Sequence, residues 1–205
     1  MKKVKFILNV SIFLFLSLPV LSQKLWKETD RSYLVNKLIQ SRDSIIKETE
    51  NLGKEQWDFK ESPDGWSMKE VVEHIAIWEL LLMHEVSKAL SGGPQPELNK
   101  TAKADSVYLG FILEEKPHIS VEYTKPFTYT LPMGLNDGKN NMAWFLKMRN
   151  ESIEYLKIAQ EDLRGYYFKQ GRPNVHQVYI YIFGHSERHL RQIKKIKANS
   201  NYPRD

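Results

Sequence analysis

The sequence predicts an all-α protein, a four-helix bundle with a long crossover connection between its second and third helices. Four segments of about 20 residues carry apolar side chains at helical spacing. Glycines and prolines separate these segments, and residues 94–138 hold five of the nine prolines. A bundle with one long crossover is a known helical architecture.

The N-terminal segment predicts export and is excluded from the fold. Three lysines, Lys2, Lys3 and Lys5, precede an apolar run over residues 6–21, which is the layout of a secretory signal peptide. A membrane anchor is the competing interpretation, but polar residues and Pro19 interrupt the run, which is shorter than the roughly 20 apolar residues of a spanning helix. We therefore expect residues 1–22 to be removed. The mature chain, residues 23–205, should be periplasmic or secreted and keep no stable membrane anchor.

Composition narrows the classes of partner and ligand. Loss of the three lysines with residues 1–22 lowers the formal net charge from +5 to +2, so we expect no nucleic-acid partner. The remaining length suits one domain with a sizeable core. The chain has no Cys, which excludes disulfides, thiolate ligands, a Cys nucleophile and a lipid-modified N-terminus. Any metal must therefore be held by His and carboxylate side chains.

The first two helices have recognisable ends. The first is predicted over residues 30 to about 51, with Asp30 as its N-cap and Gly53 as its stop. The stretch to Gly65 predicts a loop whose Trp57 and Phe59 cover one end of the core. The second runs from residue 68 to about 90, because Ser67 and Glu70 form a capping box before it and Gly92-Gly93-Pro94 follows it.

The crossover and the last two helices follow in order. Residues 101–114 predict a short helix, and residues 119–131, rich in Thr, Tyr and Phe, predict an extended piece. The third long helix is predicted from residue 140 or 141 to about 163, with apolar positions that include Ile158. The fourth is predicted from Val175, after Asn174, to about residue 198, followed by a loose polar tail.

Two histidines of the last helix predict a polar pocket in its core-facing side. His185 and His189 are four residues apart, so their side chains lie about 40° apart on one face. Apolar residues share that face, and its other polar groups are Tyr181 and Gln192. Glu187 and Arg188 point elsewhere and are expected to be solvated or to form surface ion pairs.

A third histidine faces the core from the second helix. His74 shares its side of that helix with Ile77, Trp78 and Leu81. A buried imidazole needs a hydrogen-bond partner or a metal. Three neutral nitrogens, from His74, His185 and His189, could surround one ion and leave positions open. Spacing alone leaves the alternative of ordinary hydrogen-bonded core histidines.

Two motifs carry a family resemblance. Residues 66–76 (WSMKEVVEHIA) resemble the start of the second helix in the DinB/YfiT-like family of metalloenzymes, where a Trp-Ser element precedes a metal-binding His. Residues 185–193 (HSERHLRQI) resemble that family's final-helix signature, which supplies two more ligands. The resemblance implies a four-helix bundle that binds one divalent transition metal, zinc, nickel or iron, through His74, His185 and His189.

The resemblance leaves the reaction open. Family members with assigned activities include thiol-dependent transferases and isomerases, and many others are labelled hydrolases. We expect a metal-dependent hydrolase of a small molecule. The alternatives are a thiol S-transferase, which export disfavours because small thiols are kept reduced in the cytoplasm, and a non-catalytic binding or assembly bundle. Bundles of this kind commonly pair through an exposed helix face, so a homodimer is also expected.

The supporting residues are less determined. Gln192, Tyr181 and Trp78 are candidates to orient substrate or a water molecule, with core packing as the alternative. Glu70 belongs to the capping box, and Glu73 points about 100° away from His74, which favours a supporting or surface role for Glu73. No general base is assigned. Surface or structural roles are expected for the other histidines: His84, His118 and His176.

Overall fold

The computed structural model describes residues 24–114, 130–134, 136–168 and 173–204. These residues form six α-helices and one 3₁₀ helix, and the Tyr167–Asn174 bridge is an isolated β-pairing. The α-helices are α1 (Glu28–Thr49), α2 (Lys54–Asp58), α3 (Met68–Ser91), α4 (Asp105–Leu113), α5 (Gly138–Ile158) and α6 (Val175–Lys197), and the 3₁₀ helix is Pro96–Lys100. Within the described part of the chain, no helix has the length and apolar character needed to cross a membrane. The predicted signal peptide and nearly all of the extended piece at 119–131 lie outside these residues.

Four long helices, α1, α3, α5 and α6, form the bundle and confirm the predicted fold class. The residue numbers of contacting pairs rise together along α1 and α6 and along α3 and α5, so the helices of each of these pairs run parallel. Between α1 and α5, and between α3 and α6, the residue numbers rise on one helix as they fall on the other, so these pairs run antiparallel. The defining pairs are Tyr33–Phe183 and Glu48–Lys197 for α1/α6, Lys69–Asn141 and Glu79–Arg149 for α3/α5, Leu38–Arg149 and Thr49–Met142 for α1/α5, and His74–His189 and Trp78–Tyr181 for α3/α6.

Helix α4 lies against the outer side of α6 because Gly184 leaves room for it. A Cβ atom at Gly184 would lie 2.4 Å from Cγ2 of Ile112, far inside van der Waals contact. Arg188 and Arg191 of α6 donate hydrogen bonds to the Glu114 and Leu113 carbonyl oxygens at 2.5 Å and 2.8 Å. These carbonyls have no partner within α4, so α6 supplies the cap that α4 lacks.

The predicted starts of α3 and α6 are confirmed. Glu70 Oε2 accepts the Ser67 N–H at 2.7 Å, and Ser67 Oγ accepts the Glu70 N–H at 3.4 Å, which completes the capping box. At α6, Asn174 Oδ1 accepts the Gln177 N–H at 3.0 Å. Both helix starts were recognisable because the stabilising bonds are local in sequence.

Other helix ends differ from the prediction. Helix α1 begins at Glu28, and Asp30 is not its N-cap but the third helical residue, whose carboxylate accepts the Lys27 N–H at 2.9 Å. Helix α5 spans Gly138–Ile158, so it starts earlier and ends about one turn before residue 163. Asp137 sets that start by accepting the Asn140 N–H at 2.8 Å. Ile158, predicted as a core position, is exposed.

Two segments predicted as irregular or loose are ordered by distant contacts. The predicted loop before Gly65 contains α2, whose buried Trp57 fits against Gly138, where a Cβ would lie 2.1 Å from the indole ring. The polar tail after α6 is held by buried Tyr202, whose ring packs edge-on against Phe59 at 5.4 Å. Trp57 and Phe59 thus cover one end of the core, as predicted. Their partners lie far away in sequence, so local patterns did not indicate helix α2 or the ordered tail.

The bundle core consists of two apolar layers separated by a polar one. One apolar layer includes Leu38, Val86, Ile153 and Phe183, and the other includes Ile45, Ala76, Phe145 and Ile193. Between these positions, each long helix contributes a polar side chain: Ser41, Glu79, Arg149, Ser152 and Ser186. We call these five residues the polar layer.

Candidate metal centre

Three histidine side chains meet between α3 and α6. His74 comes from α3, and His185 and His189 come from successive turns of α6. One nitrogen of each lies within 4.8 Å of the corresponding nitrogens of the other two, and the Nε2 atoms of His185 and His189 are 3.1 Å apart. Each side chain is 7% exposed. The structure thus brings together the three residues that the sequence predicted as ligands.

Hydrogen bonds fix which imidazole nitrogen carries the proton. His74 Nδ1 lies 2.6 Å from the carbonyl oxygen of Thr130, which can only accept, so Nδ1 is the donor. His189 Nδ1 is likewise 2.8 Å from Gln192 Oε1. In a neutral ring the other nitrogen, Nε2, then carries no proton and has a free lone pair. Thr130 and Gln192 therefore prepare two of the rings to bind a cation.

Burial keeps all three rings neutral. It lowers the pKa of His74 to about 4 and, together with the nearby His74 ring, that of His189 to about 3. The pKa of His185 is lowered well below its ordinary value by burial and by the two neighbouring histidines. At neutral pH the cluster therefore offers lone pairs without first having to lose protons.

Aromatic rings surround the cluster. Trp66 lies 4.6 Å from the His74 ring and stacks on His189 at 6.3 Å, between ring centroids. Trp78 and Tyr181 lie 5.4 Å and 6.4 Å from the His185 ring. The predicted supporting residues Gln192, Tyr181 and Trp78 are thus all at the cluster, whereas Trp66 appeared in the sequence analysis only as part of the family motif.

Glu73 supports the site without belonging to the three-histidine group, which agrees with the first of the two predicted roles, support or surface. It points away from the imidazoles as expected, but it is buried, and its carboxylate accepts the N–H groups of Met133 and Gly134 at 3.0 Å and 2.9 Å. The same short segment carries the Thr130 carbonyl that holds His74. Glu73 therefore fastens residues 130–134 to α3. An acidic residue enclosed by apolar neighbours (VVEHI) was the available signal.

The polar layer, which the sequence analysis did not predict, lies next to the cluster. All five N–H groups of buried Arg149 have acceptors: Glu79 Oε1 at 2.8 Å and Oε2 at 2.7 Å, Ser186 Oγ at 2.7 Å, Ser41 Oγ at 2.6 Å and the Leu38 carbonyl at 3.2 Å. Ser152 Oγ donates to Glu79 Oε1 at 3.1 Å. Since Ser186 directly follows His185, this network joins the site to every helix of the bundle.

The other histidines lie away from the cluster. His84 is exposed, and His118 lies outside the described residues. His176 is buried: its Nδ1 accepts the Trp26 indole N–H at 3.2 Å, and its Nε2 lies 2.9 Å from Arg164 NH2 and 3.2 Å from Asp105 Oδ2. Its role is structural. Glu187 forms the expected surface pair, 3.9 Å from Lys37.

Fold and site together define a class: a helical bundle whose interior offers a three-histidine candidate metal centre. The model of the DinB superfamily matches residues 37–193, and the chain belongs to that superfamily. This confirms the resemblance seen in the two sequence motifs. A structural comparison finds YfiT from Bacillus subtilis, described as a probable metal-dependent hydrolase with an unusual four-helix bundle topology. It is 12% identical, with a TM-score of 0.48 over 89% of this chain and 94% of that one. No curated protein matches the sequence.

Proposed function

We propose that this protein binds one divalent transition metal, zinc, nickel or iron, through His74, His185 and His189 and hydrolyses a small molecule there. The convergence of the three imidazole nitrogens carries the proposal. The 3.1 Å between His185 Nε2 and His189 Nε2 is close to the ~3.3 Å between two nitrogens that bind zinc tetrahedrally. Rings fixed by Thr130 and Gln192 and kept neutral by burial fit a divalent cation.

The surrounding residues suit a hydrolytic site. A divalent cation bound by three neutral ligands would lower the pKa of water and polarise a carbonyl group, as hydrolysis requires. Trp66 and Trp78 limit the access of bulk water. Burial raises the pKa of Tyr181, so its hydroxyl keeps its proton at neutral pH and can donate a hydrogen bond to a substrate oxygen.

Metal content of the purified protein is the first test. We expect near-stoichiometric metal by mass spectrometry after purification without affinity chelation, and its loss in a His185→Ala/His189→Ala variant. His84→Ala is the matched control, because it removes an exposed histidine from α3 and should leave the metal content unchanged. Absence of metal, with no uptake of added zinc, nickel or iron, would overturn the proposal.

Hydrolysis is tested with the same proteins. The metal-loaded protein should cleave members of a panel of small esters, amides and lactones, and the chelated protein and the double variant should not. A panel of thiols added with electrophilic substrates provides the contrast. Activity that depends on a thiol and is absent from the hydrolytic panel would replace hydrolysis with thiol transfer at the same residues.

We also propose that residues 1–22 direct export. The lysines before the apolar run and the length of that run support this assignment. N-terminal sequencing of protein recovered outside the cytoplasm should begin at Gln23. Leu14→Arg, which places a charge in the apolar run, should keep the chain in the cytoplasm with its N-terminus intact. Equal recovery of both forms outside the cytoplasm would refute the assignment.

A further inference from the structure

We infer that Glu73 is a positioning residue that couples the metal to residues 130–134, so that a bound metal holds this segment in place and loss of the metal releases it. We call residues 130–134 the strap. This inference rests on the proposed function, because it requires a metal at the three histidines. It adds a response of the protein to metal occupancy, which the three ligands alone do not specify.

The strap is bound to two consecutive residues of α3. The Thr130 carbonyl accepts a hydrogen bond from His74 Nδ1 at 2.6 Å, and the N–H groups of Met133 and Gly134 donate to the Glu73 carboxylate at 3.0 Å and 2.9 Å. Glu73 and His74 point about 100° apart, so they hold the strap from two directions. The bond to His74 therefore depends on the same short piece of backbone that Glu73 fixes.

The three bonds should form and break together. Pro132 lies between the Thr130 carbonyl and the Met133 N–H, and its ring fixes one backbone dihedral angle in the middle of the strap. Leu131 and Met133 are 47% and 66% exposed, so their side chains contribute little packing. The hydrogen bonds to Glu73 and His74 are consequently the principal attachment of the strap to the bundle.

The charge of Glu73 links the strap to the metal. The carboxylate is 2% exposed, and within the described part of the chain its partners are the two strap N–H groups and no cationic side chain. A buried charge is costly without a compensating one, and a divalent cation held by His74, the next residue, would supply it. The His74 Nδ1–H also becomes a stronger donor to Thr130 when Nε2 binds a cation.

Coupling of this kind is reciprocal. If the attached strap raises the affinity for the metal by some factor, the bound metal must favour attachment of the strap by the same factor. Groups that hold a metal-binding histidine from behind commonly change the metal affinity by about 10–100-fold. We expect a factor of about ten for the strap, because it supports one of the three ligands.

Amide hydrogen exchange at Met133 and Gly134, followed by NMR, tests the inference. Because both N–H groups are bonded to Glu73, they exchange when the strap detaches. In the zinc-loaded protein they should exchange about tenfold more slowly than in the metal-free protein. The control is the Leu98 N–H, which is bonded to the Gln95 carbonyl at 3.1 Å in the 3₁₀ helix. Its exchange rate should change less than about twofold, because local opening there does not involve the strap.

Glu73→Ala completes the comparison. Its strap is detached with or without metal, so its zinc affinity, measured by chelator competition, should fall by the same factor by which zinc slows exchange in the parent. Zinc should no longer change exchange at Met133 in this variant. Glu73→Gln, which keeps one acceptor oxygen but not the charge, should lose less affinity. Glu154→Gln is the matched control: it removes a carboxylate that is 67% exposed on α5 and should leave both measurements unchanged.

The comparison of zinc-loaded with metal-free parent needs no variant, so it decides the question even where Glu73→Ala fails to fold. Zinc that binds but leaves exchange at Met133 and Gly134 unchanged, or slows Leu98 equally, would overturn this inference and leave the metal site intact. A loss of affinity in Glu73→Ala without a zinc effect on exchange would also overturn it, in favour of direct attraction between the carboxylate and the cation. Failure of the parent to bind zinc would overturn the proposed function and this inference together.

Discussion

Replacing Glu79 with leucine should destabilise the fold more than almost any other single change. Glu79 and Arg149 are 2% and 0% exposed and meet in two parallel N–H···O bonds of 2.8 Å and 2.7 Å. Glu79→Leu leaves the guanidinium buried without its counter-charge and also removes the acceptor of Ser152. Breaking one partner of a buried pair costs about 3–5 kcal/mol, which corresponds to a fall in Tm of roughly 10–15 °C for a chain of this size.

The measurement is urea unfolding followed by circular dichroism at 222 nm, with the double variant Glu79→Leu/Arg149→Met beside the two single variants. Because the double variant leaves no buried charge, we expect it to lie within about 1 kcal/mol of the parent. Glu154→Gln, which breaks the exposed pair between Glu154 and Lys157 at 2.7 Å, should change stability by less than about 0.5 kcal/mol. Losses that simply add in the double variant, or a Glu79→Leu loss below about 1 kcal/mol, would refute the electrostatic reasoning.

Three further predictions concern the site and its supports. Gly184→Ala should cost about 1–3 kcal/mol in urea unfolding, because the new methyl group collides with Ile112; an unchanged midpoint would contradict the close packing of α4. Glu73→Ala should weaken metal binding about tenfold in a chelator competition, because residues 130–134 then hold the Thr130 carbonyl less firmly against His74. The metal-free protein should lose stability as the pH falls from 6.5 towards 4. Buried His74, with its pKa lowered to about 4, takes up a proton only after the unfolded chain has done so, which costs about 3 kcal/mol at pH 4. His74→Leu should remove that part of the pH dependence, and parallel unfolding curves for both proteins across this range would contradict it.

The fold could be predicted because its signals are local. Apolar spacing located α1, α3, α5 and α6, and the capping residues Ser67 and Asn174 located two helix starts. Contacts between distant segments were not predictable in this way. The Trp57 ring of α2 packs against Gly138, and the buried Tyr202 ring packs against Phe59.

In the candidate site too, features with a local signal could be predicted from the sequence, and contacts between distant segments could not. The spacing of His185 and His189 placed both on one face, and the position of His74 among apolar residues turned it toward the core. The family motifs then indicated that the three bind one metal. The roles of Glu73 and Arg149 depend on groups 60 or more residues away in the sequence, the Met133 N–H and the Glu79 carboxylate. The apolar neighbours of Glu73 and Glu79 are a signal in the sequence that these carboxylates need partners, but they do not indicate which groups those partners are.

The polar layer also sets the register of the helices along the bundle axis. Apolar side chains tolerate sliding, because one methyl group can replace another at little cost. The Arg149 guanidinium does not, since its acceptors lie on α1, α3 and α6 at fixed heights. A shift of one helical turn, about 5.4 Å, would break those bonds and would also separate His74 from His185. The alignment of the three imidazoles therefore depends on the hydrogen bonds of Arg149, a residue of the neighbouring polar layer.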